Sequence, residues 1–401
     1  LMRLGEGDTE VGDAERIDRI ALLEQVKAAA AGAQAAEVVQ FGLSQVEAQQ
    51  RADVHPRLIG RGIADQVALA CQLSPTGGSQ RLTLARALWF DLPATFAALR
   101  RGQISEWVAT LVSRETAHLD AATRRTVDAD LALRDLATMS PRRAAAAARS
   151  LAYLADPVAA VARARIEEKA RRVTVRPAPD SMAILTAYLP AAQGIAAWAA
   201  LSREADSCLA AGDPRTRGQV MADALVTRVT GQAGASDLNV EIGLLLPIET
   251  LTGDTDDRPA ELRDYGPIPA PLARRLLHDT RGSLFLRRLF TAPGGQIIGA
   301  DDRRRRFPGA LARLIAHRDQ RCRDPFCDAP IRHLDHITRH TDGGPTNYSN
   351  GRGVCARGNY TREMPGWHLK LLDDGLRGQP HAVAVTTPTG HVYTSQAPQP
   401  P

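Results

Sequence analysis

Three cysteines near the C-terminal end constrain what this chain can fold into more than any other feature. Cys322 and Cys327 are separated by four residues, the upper end of the interval at which two thiolates from one turn share a tetrahedral zinc. Cys355 lies 28 positions beyond Cys327 and offers a third sulfur from a second turn, after which a partner is expected at position 358, where the chain has Gly358. The spacing predicts a small zinc-centred unit with an incomplete ligand set. His333, His340 or a water could fill the fourth position.

With 401 residues the chain is long enough for two or three domains. Its low aromatic share of 4% leaves alanine to carry much of the apolar content, which favours helices. No run of eighteen apolar residues occurs, and Leu1 to Glu10 lacks a basic stretch followed by an apolar one, so neither a membrane span nor Sec export is expected. Five cysteines are too few and too scattered for a disulfide framework, and a reduced, cytoplasmic protein is expected. Cys71, Cys208, His55 and His118 read as structural residues.

Charge is concentrated in the same region as the cysteines. Residues 303–370 hold fourteen Lys or Arg against six Asp or Glu, a net +8, whereas the whole chain carries +5. Such an excess favours polyanions through counterion release, so nucleic acid is the expected partner of this section.

The overall pattern predicts an α+β chain. Residues 1–170 read as a helical domain, opening with a helix over 13–52 and pausing at Ser74-Pro75-Thr76-Gly77-Gly78 before resuming at Arg81. Residues 171–250 alternate strands (172–176, 182–189, 238–246) with helices (193–209, 217–229) as a small α+β unit. The Pro- and Gly-rich stretch within 251–300 reads as a linker followed by a hairpin over 283–298. Residues 301–375 form the cysteine-containing module, with a leading helix over 309–317, and 376–401 reads as a frayed tail.

Between the cysteine pairs lie Asp335-His336 and Asn350, and Asn359 follows Cys355. Phosphodiester hydrolysis needs a base for the attacking water, a role suited to imidazole, and a hard cation held by oxygen ligands, which Asp335 and Asn359 can offer. Mg²⁺ or Mn²⁺ is the expected ion.

Residues 322–367, CRDPFCDAPIRHLDHITRHTDGGPTNYSNGRGVCARGNYTREMPGW, resemble the HNH nucleases and their ββα-metal motif. The resemblance implies a C-terminal ββα module with His336 as general base, Asp335 and Asn359 as ligands of the catalytic ion, and Asn350 steadying the loop. Cys322, Cys327 and Cys355 would be the structural zinc ligands. It further implies DNA as partner, with Arg332, Arg339, Arg352 and Arg362 as contacts. Upstream, SPTGGSQRLTLARAL, ARSLAYLADP, VTVRPAPDSMAILTAYLP and GDPRTRGQVMADAL resemble the long N-terminal domain of unknown function that precedes an HNH module in a large actinobacterial family of repeat-associated proteins. Gly358 departs from the usual cysteine or histidine, Asn359 from the commoner histidine, and Arg362 from lysine. Two readings follow: an HNH endonuclease, or a non-catalytic nucleic-acid-binding protein that retains the fold.

Overall fold

The computed structural model describes residues 11–231, 244–245, 258–262, 265–279, 307, 309–376 and 379–398. The fold is α+β: a mostly helical N-terminal region followed by small antiparallel sheets. Among the described residues, no single helix is long and apolar enough to cross a membrane. The chain divides into two compact units, a helical one built on Leu1–Arg165 and a mixed one beginning at Ile166.

The helical unit opens with α1 (Asp13–Arg51) and continues through α2 (Ile63–Ala70), α3 (Pro75–Phe90), α4 (Pro93–Arg100), α5 (Glu106–Glu115), α6 (Ala121–Ala132) and α7 (Pro141–Ala155). Short polar side chains set the helix starts. Ser74, Ser105, Asp120 and Ser140 each accept a backbone N–H from the first turn, and proline follows Ser74 and Ser140 at the first helical position. The pause expected at Ser74–Gly78 is therefore a helix start. Gly78 stands in the first turn because α2 lies too close for a side chain: a Cβ there would be 2.3 Å from Ala64 O. Leu92, before α4, cannot cap, and Asp128 of α6 takes that role by accepting from Ala94 N (2.7 Å) and Thr95 N (3.1 Å). The core gathers Leu88, Leu92, Leu99, Val112 and Leu131 around the small stripe Ala144–Ala148 of α7. Each buried leucine stabilises by roughly 1.5–3 kcal/mol.

Helix α8 (Pro157–Lys169) leads to β1 (Arg172–Ala178), paired antiparallel with β2 (Met182–Tyr188) across a turn in which Asp180 and Ser181 have φ of 60° and 58°. Helices α9 (Ala191–Ala210) and α10 (Arg217–Thr230) follow, as expected for the middle unit. Of the strand expected over 238–246, only β3 (Leu244–Leu245) lies among the described residues.

The expected linker contains structure. Strand β3 pairs with β4 (Ala260–Leu262), which pairs with β5 (Gly266–Ile268), and α11 (Ala270–Asp279) follows. Ala260, Ile268 and Ala273 form a small buried cluster there. Proline is tolerated because β5 is an edge strand, so Pro267 need not donate to a further neighbour. The hairpin expected over 283–298 lies outside the described residues.

Helix α12 (Gly309–Asp319) precedes β6 (His333–His336), β7 (Gly351–Val354) and the short α13 (Ala356–Thr361). The expected tail folds back. Strands β8 (His368–Asp373), β9 (Ala382–Thr386) and β10 (Val392–Gln396) form an antiparallel sheet in the order 10-9-8, and Ala382, Val383, Ala384 and Val385 of the central strand are buried. A strand covered on both faces shows no polar alternation, so the run Ala382–Thr386 carries only a weak signal beside the prolines that follow it.

Candidate nucleic-acid site and metal centre

Strands β6 and β7 pair antiparallel with Asp335 opposite Arg352 and His336 opposite Gly351. Gly351 and Gly353 are required on one face of β7. A Cβ on Gly351 would lie 2.4 Å from Ile315 Cδ1, and one on Gly353 would lie 2.5 Å from Ile331 Cδ1. The backbone of β7 is also gripped by α12. Arg318 Nη2 donates to Gly351 O (2.6 Å) and Gly353 N donates to Asp319 Oδ2 (2.6 Å).

Asp319 is the hub of a buried network. Arg318 Nε (2.7 Å) and Arg323 Nη1 (2.8 Å) both donate to its Oδ1, while Arg323 Nη2 reaches the carbonyls of His381 and Ser395 (2.9 Å each). Burial alone would raise the Asp319 carboxyl, but the two guanidinium groups and the Gly353 N–H outweigh it and hold it below the ordinary range. The network ties α12, β7 and the sheet of β8–β10 into one support for the site.

The loop between β6 and β7 is closed by Asn350, which is buried. Its Nδ2 donates to Thr338 O (2.9 Å) and Pro345 O (2.8 Å), and its Oδ1 accepts from Thr338 N (2.8 Å). One amide thus satisfies three backbone groups on both sides of the loop. Gly343 has φ 84°, and a Cβ on Gly344 would lie 1.9 Å from Thr338 O, so the tight loop requires both glycines.

His336, half-buried at the end of β6, has its Nε2 2.8 Å from Thr346 Oγ1. The Phe307 ring lies 4.5 Å from its imidazole and the His340 ring 5.7 Å away, edge on. These contacts fix the ring orientation. Asn359 is half-buried on α13.

Asp335 does not stand alone. Arg352, fully buried, brings Nη2 and Nε to 3.3 Å and 3.4 Å from Asp335 Oδ2, and donates from Nη1 to Asp324 Oδ1 at 2.8 Å. Burial pushes the Asp324 carboxyl up, with Arg352 pulling against it, while the two carboxylates keep the guanidinium charged. One correction follows: Arg352, expected at the nucleic-acid surface, is an internal counter-ion that no phosphate can reach. Asp335, expected together with Asn359 to hold a divalent ion, has its Oδ2 engaged by that guanidinium.

Arg362 is also buried, with its Nε 3.8 Å from Glu363 Oε1, whereas Arg332 is exposed and Arg339 half-buried. Arg318 and Arg323 are buried as well. Several of the fourteen cationic residues therefore neutralise internal carboxylates, and the basic surface is smaller than the sequence count implies. Arg303–Arg306 lie outside the described residues.

The thiols do converge. Cys322, Cys327 and Cys355 are buried, with their sulfurs within 4.8 Å of one another, the one His/Cys/Asp/Glu group among the described residues placed to hold a metal ion. Neither His333 nor His340 belongs to it. Cys355 N lies 3.2 Å from Cys322 Sγ and Gly358 N 3.3 Å from Cys355 Sγ, and N–H groups donated to sulfur favour the thiolate form that zinc requires. The donor set fits zinc. Residues that sequence reasoning missed are Asp319, Asp324, Thr346 and Phe307. The crowding of Arg and Asp over 318–324 is a sequence signal for the buried pairs of Asp319 with Arg318 and Arg323.

Comparison with known proteins places the N-terminal three quarters of this architecture. The chain matches the profile described as "Domain of unknown function (DUF222)" over residues 20–319, and it belongs to that family. It is similar to the uncharacterized protein Rv3776 of Mycobacterium tuberculosis, at 32% identity over 133 residues, 32% of this chain and 23% of that protein. It is also similar to the uncharacterized protein Rv2100 of the same species, at 34% identity over 143 residues, 34% of this chain and 23% of that protein. The aligned part thus spans less than a quarter of each of these curated relatives. No solved structure matches.

Proposed function

We propose that the C-terminal module is a nucleic-acid phosphodiester hydrolase of the HNH type, with His336 as the base that deprotonates the attacking water. The observation that carries this reading is the β6–loop–β7–α13 order with Asn350 closing the loop and His336 oriented by Thr346 and Phe307. In the tautomer protonated at Nε2, His336 donates to Thr346 Oγ1, which holds the imidazole in one orientation for its role as base. Arg332 and Arg339 supply positive charge toward the phosphate backbone. The zinc held by the three cysteines is structural. DNA is the expected substrate.

The Asp335–Arg352 ion pair favours a second reading, a nucleic-acid-binding protein that no longer cuts, since the guanidinium offsets the charge with which Asp335 would attract a hard cation. Nicking of supercoiled plasmid by the full chain separates the two, with Mg²⁺, Mn²⁺ or EDTA present. Nicking that requires His336 supports the hydrolase, and DNA binding without nicking in either metal supports the second reading.

A further inference from the structure

The zinc site lacks a fourth ligand at the expected position, and the structure shows what occupies that space. A Cβ built on Gly358 would lie 1.7 Å from Asp324 Oδ2 and 2.8 Å from its Cγ. The volume of the missing side chain is filled by a carboxylate from the opposite turn. We propose that Asp324 is the fourth ligand of the metal held by Cys322, Cys327 and Cys355, a replacement for the side chain that position 358 does not supply. The proposal rests on reading the three thiols as a zinc site.

Chemistry and placement both support it. Zinc accepts a carboxylate oxygen beside thiolates, and Asp324 lies in the turn between Cys322 and Cys327, so the loop that presents two sulfurs also presents the oxygen. Its two oxygens are differentiated. Oδ1 accepts from Arg352 Nη1 at 2.8 Å, and Oδ2 is the one against Gly358. An outer partner that holds one oxygen and leaves the other to the metal is the usual arrangement around a zinc carboxylate. Three thiolates and a carboxylate exceed the charge of Zn²⁺, and the buried Arg352 offsets part of the surplus. Asp324 lies outside the 4.8 Å set formed by the sulfurs, so metal binding draws its carboxylate inward.

The test compares the full chain with Asp324→Ala, Asp324→Asn, Gly358→Cys and the double variant Asp324→Ala/Gly358→Cys, by zinc content, chelator competition and the absorption spectrum of the cobalt-substituted protein. The wild type is expected to hold about one zinc per chain. Asp324→Ala should lower affinity at least roughly tenfold, the lower bound set by losses seen for outer partners alone. Asp324→Asn, which keeps an acceptor for Arg352, should also lose affinity, and it decides the matter if the alanine variant fails to fold. Gly358→Cys alone should gain nothing, because the new side chain meets the carboxylate. The double variant should recover tight binding and shift the cobalt spectrum from a three-sulfur, one-oxygen toward a four-sulfur pattern. Wild-type affinity and an unchanged cobalt spectrum in both Asp324 single variants would overturn the assignment and leave water as fourth ligand. Absence of metal from both the wild type and the double variant would instead overturn the zinc reading itself.

Discussion

Asp335 and Arg352 face each other across the β6–β7 pair, and the guanidinium between Asp335 and Asp324 has no exposure to solvent. The pair links the strand that carries His336 to the turn that carries two of the cysteines. It makes the charge state of the proposed active site a matter of internal packing and not only of surface composition.

Arg352→Leu should therefore be costly. It removes the cation that lies between two largely buried carboxylates, and breaking a buried ion pair from one side costs about 3–5 kcal/mol. Asp335→Asn should cost less, since Arg352 keeps its shorter bond to Asp324. Thermal and urea unfolding of the two variants measure the difference, and the expected order is wild type, then Asp335→Asn, then Arg352→Leu.

Asn350→Ala removes three part-buried hydrogen bonds at one stroke, to the Thr338 N–H and to the carbonyls of Thr338 and Pro345. A loss of about 2–3 kcal/mol is expected, at about 0.5–1.5 kcal/mol for each bond with incomplete additivity. Amide exchange should accelerate over residues 337–350 more than over α12. Equal protection in wild type and variant would show that the asparagine does not hold the loop.

Acid should weaken the module through His381. Burial, reinforced by the charge of Arg318, holds its pKa down to about 4, and Nε2–H donates to Ser349 O at 2.8 Å. The unfolded chain takes up this proton near pH 6.5, while the folded chain refuses it until about pH 4. Stability contributed by the neutral ring is thus full above about pH 6.5 and declines as pH falls toward 4, by about 3 kcal/mol in total. Urea titrations between pH 7 and pH 4 should show this slope, and His381→Gln should flatten it.

Much of this arrangement is legible in the residues, and the rest is hidden for identifiable reasons. Helix starts at Ser105 and Ser140 follow from local capping chemistry, and the tight loop follows from Gly343-Gly344 and Asn350, because each depends on neighbours close in sequence. The thiols could be grouped because metal ligation imposes a spacing. Arg352 could not be placed, because a guanidinium carries the same charge inside as outside, and its partners are 17 and 28 residues away. The flanking Gly351 and Gly353 are its only trace: a strand with no side chains on one face has its remaining one directed to the other. The strands of residues 382–396 were masked by the prolines beyond them, and the Asp324 carboxylate beside Gly358 is a contact between the two cysteine turns that only the folded chain brings about.

The most direct test of the account is the conversion of supercoiled plasmid to nicked circle by the purified full chain, beside His336→Ala, with Mg²⁺, Mn²⁺ or EDTA. The account predicts nicking by the wild type that is lost in His336→Ala while both bind DNA with the same affinity. Undiminished nicking by His336→Ala would contradict it.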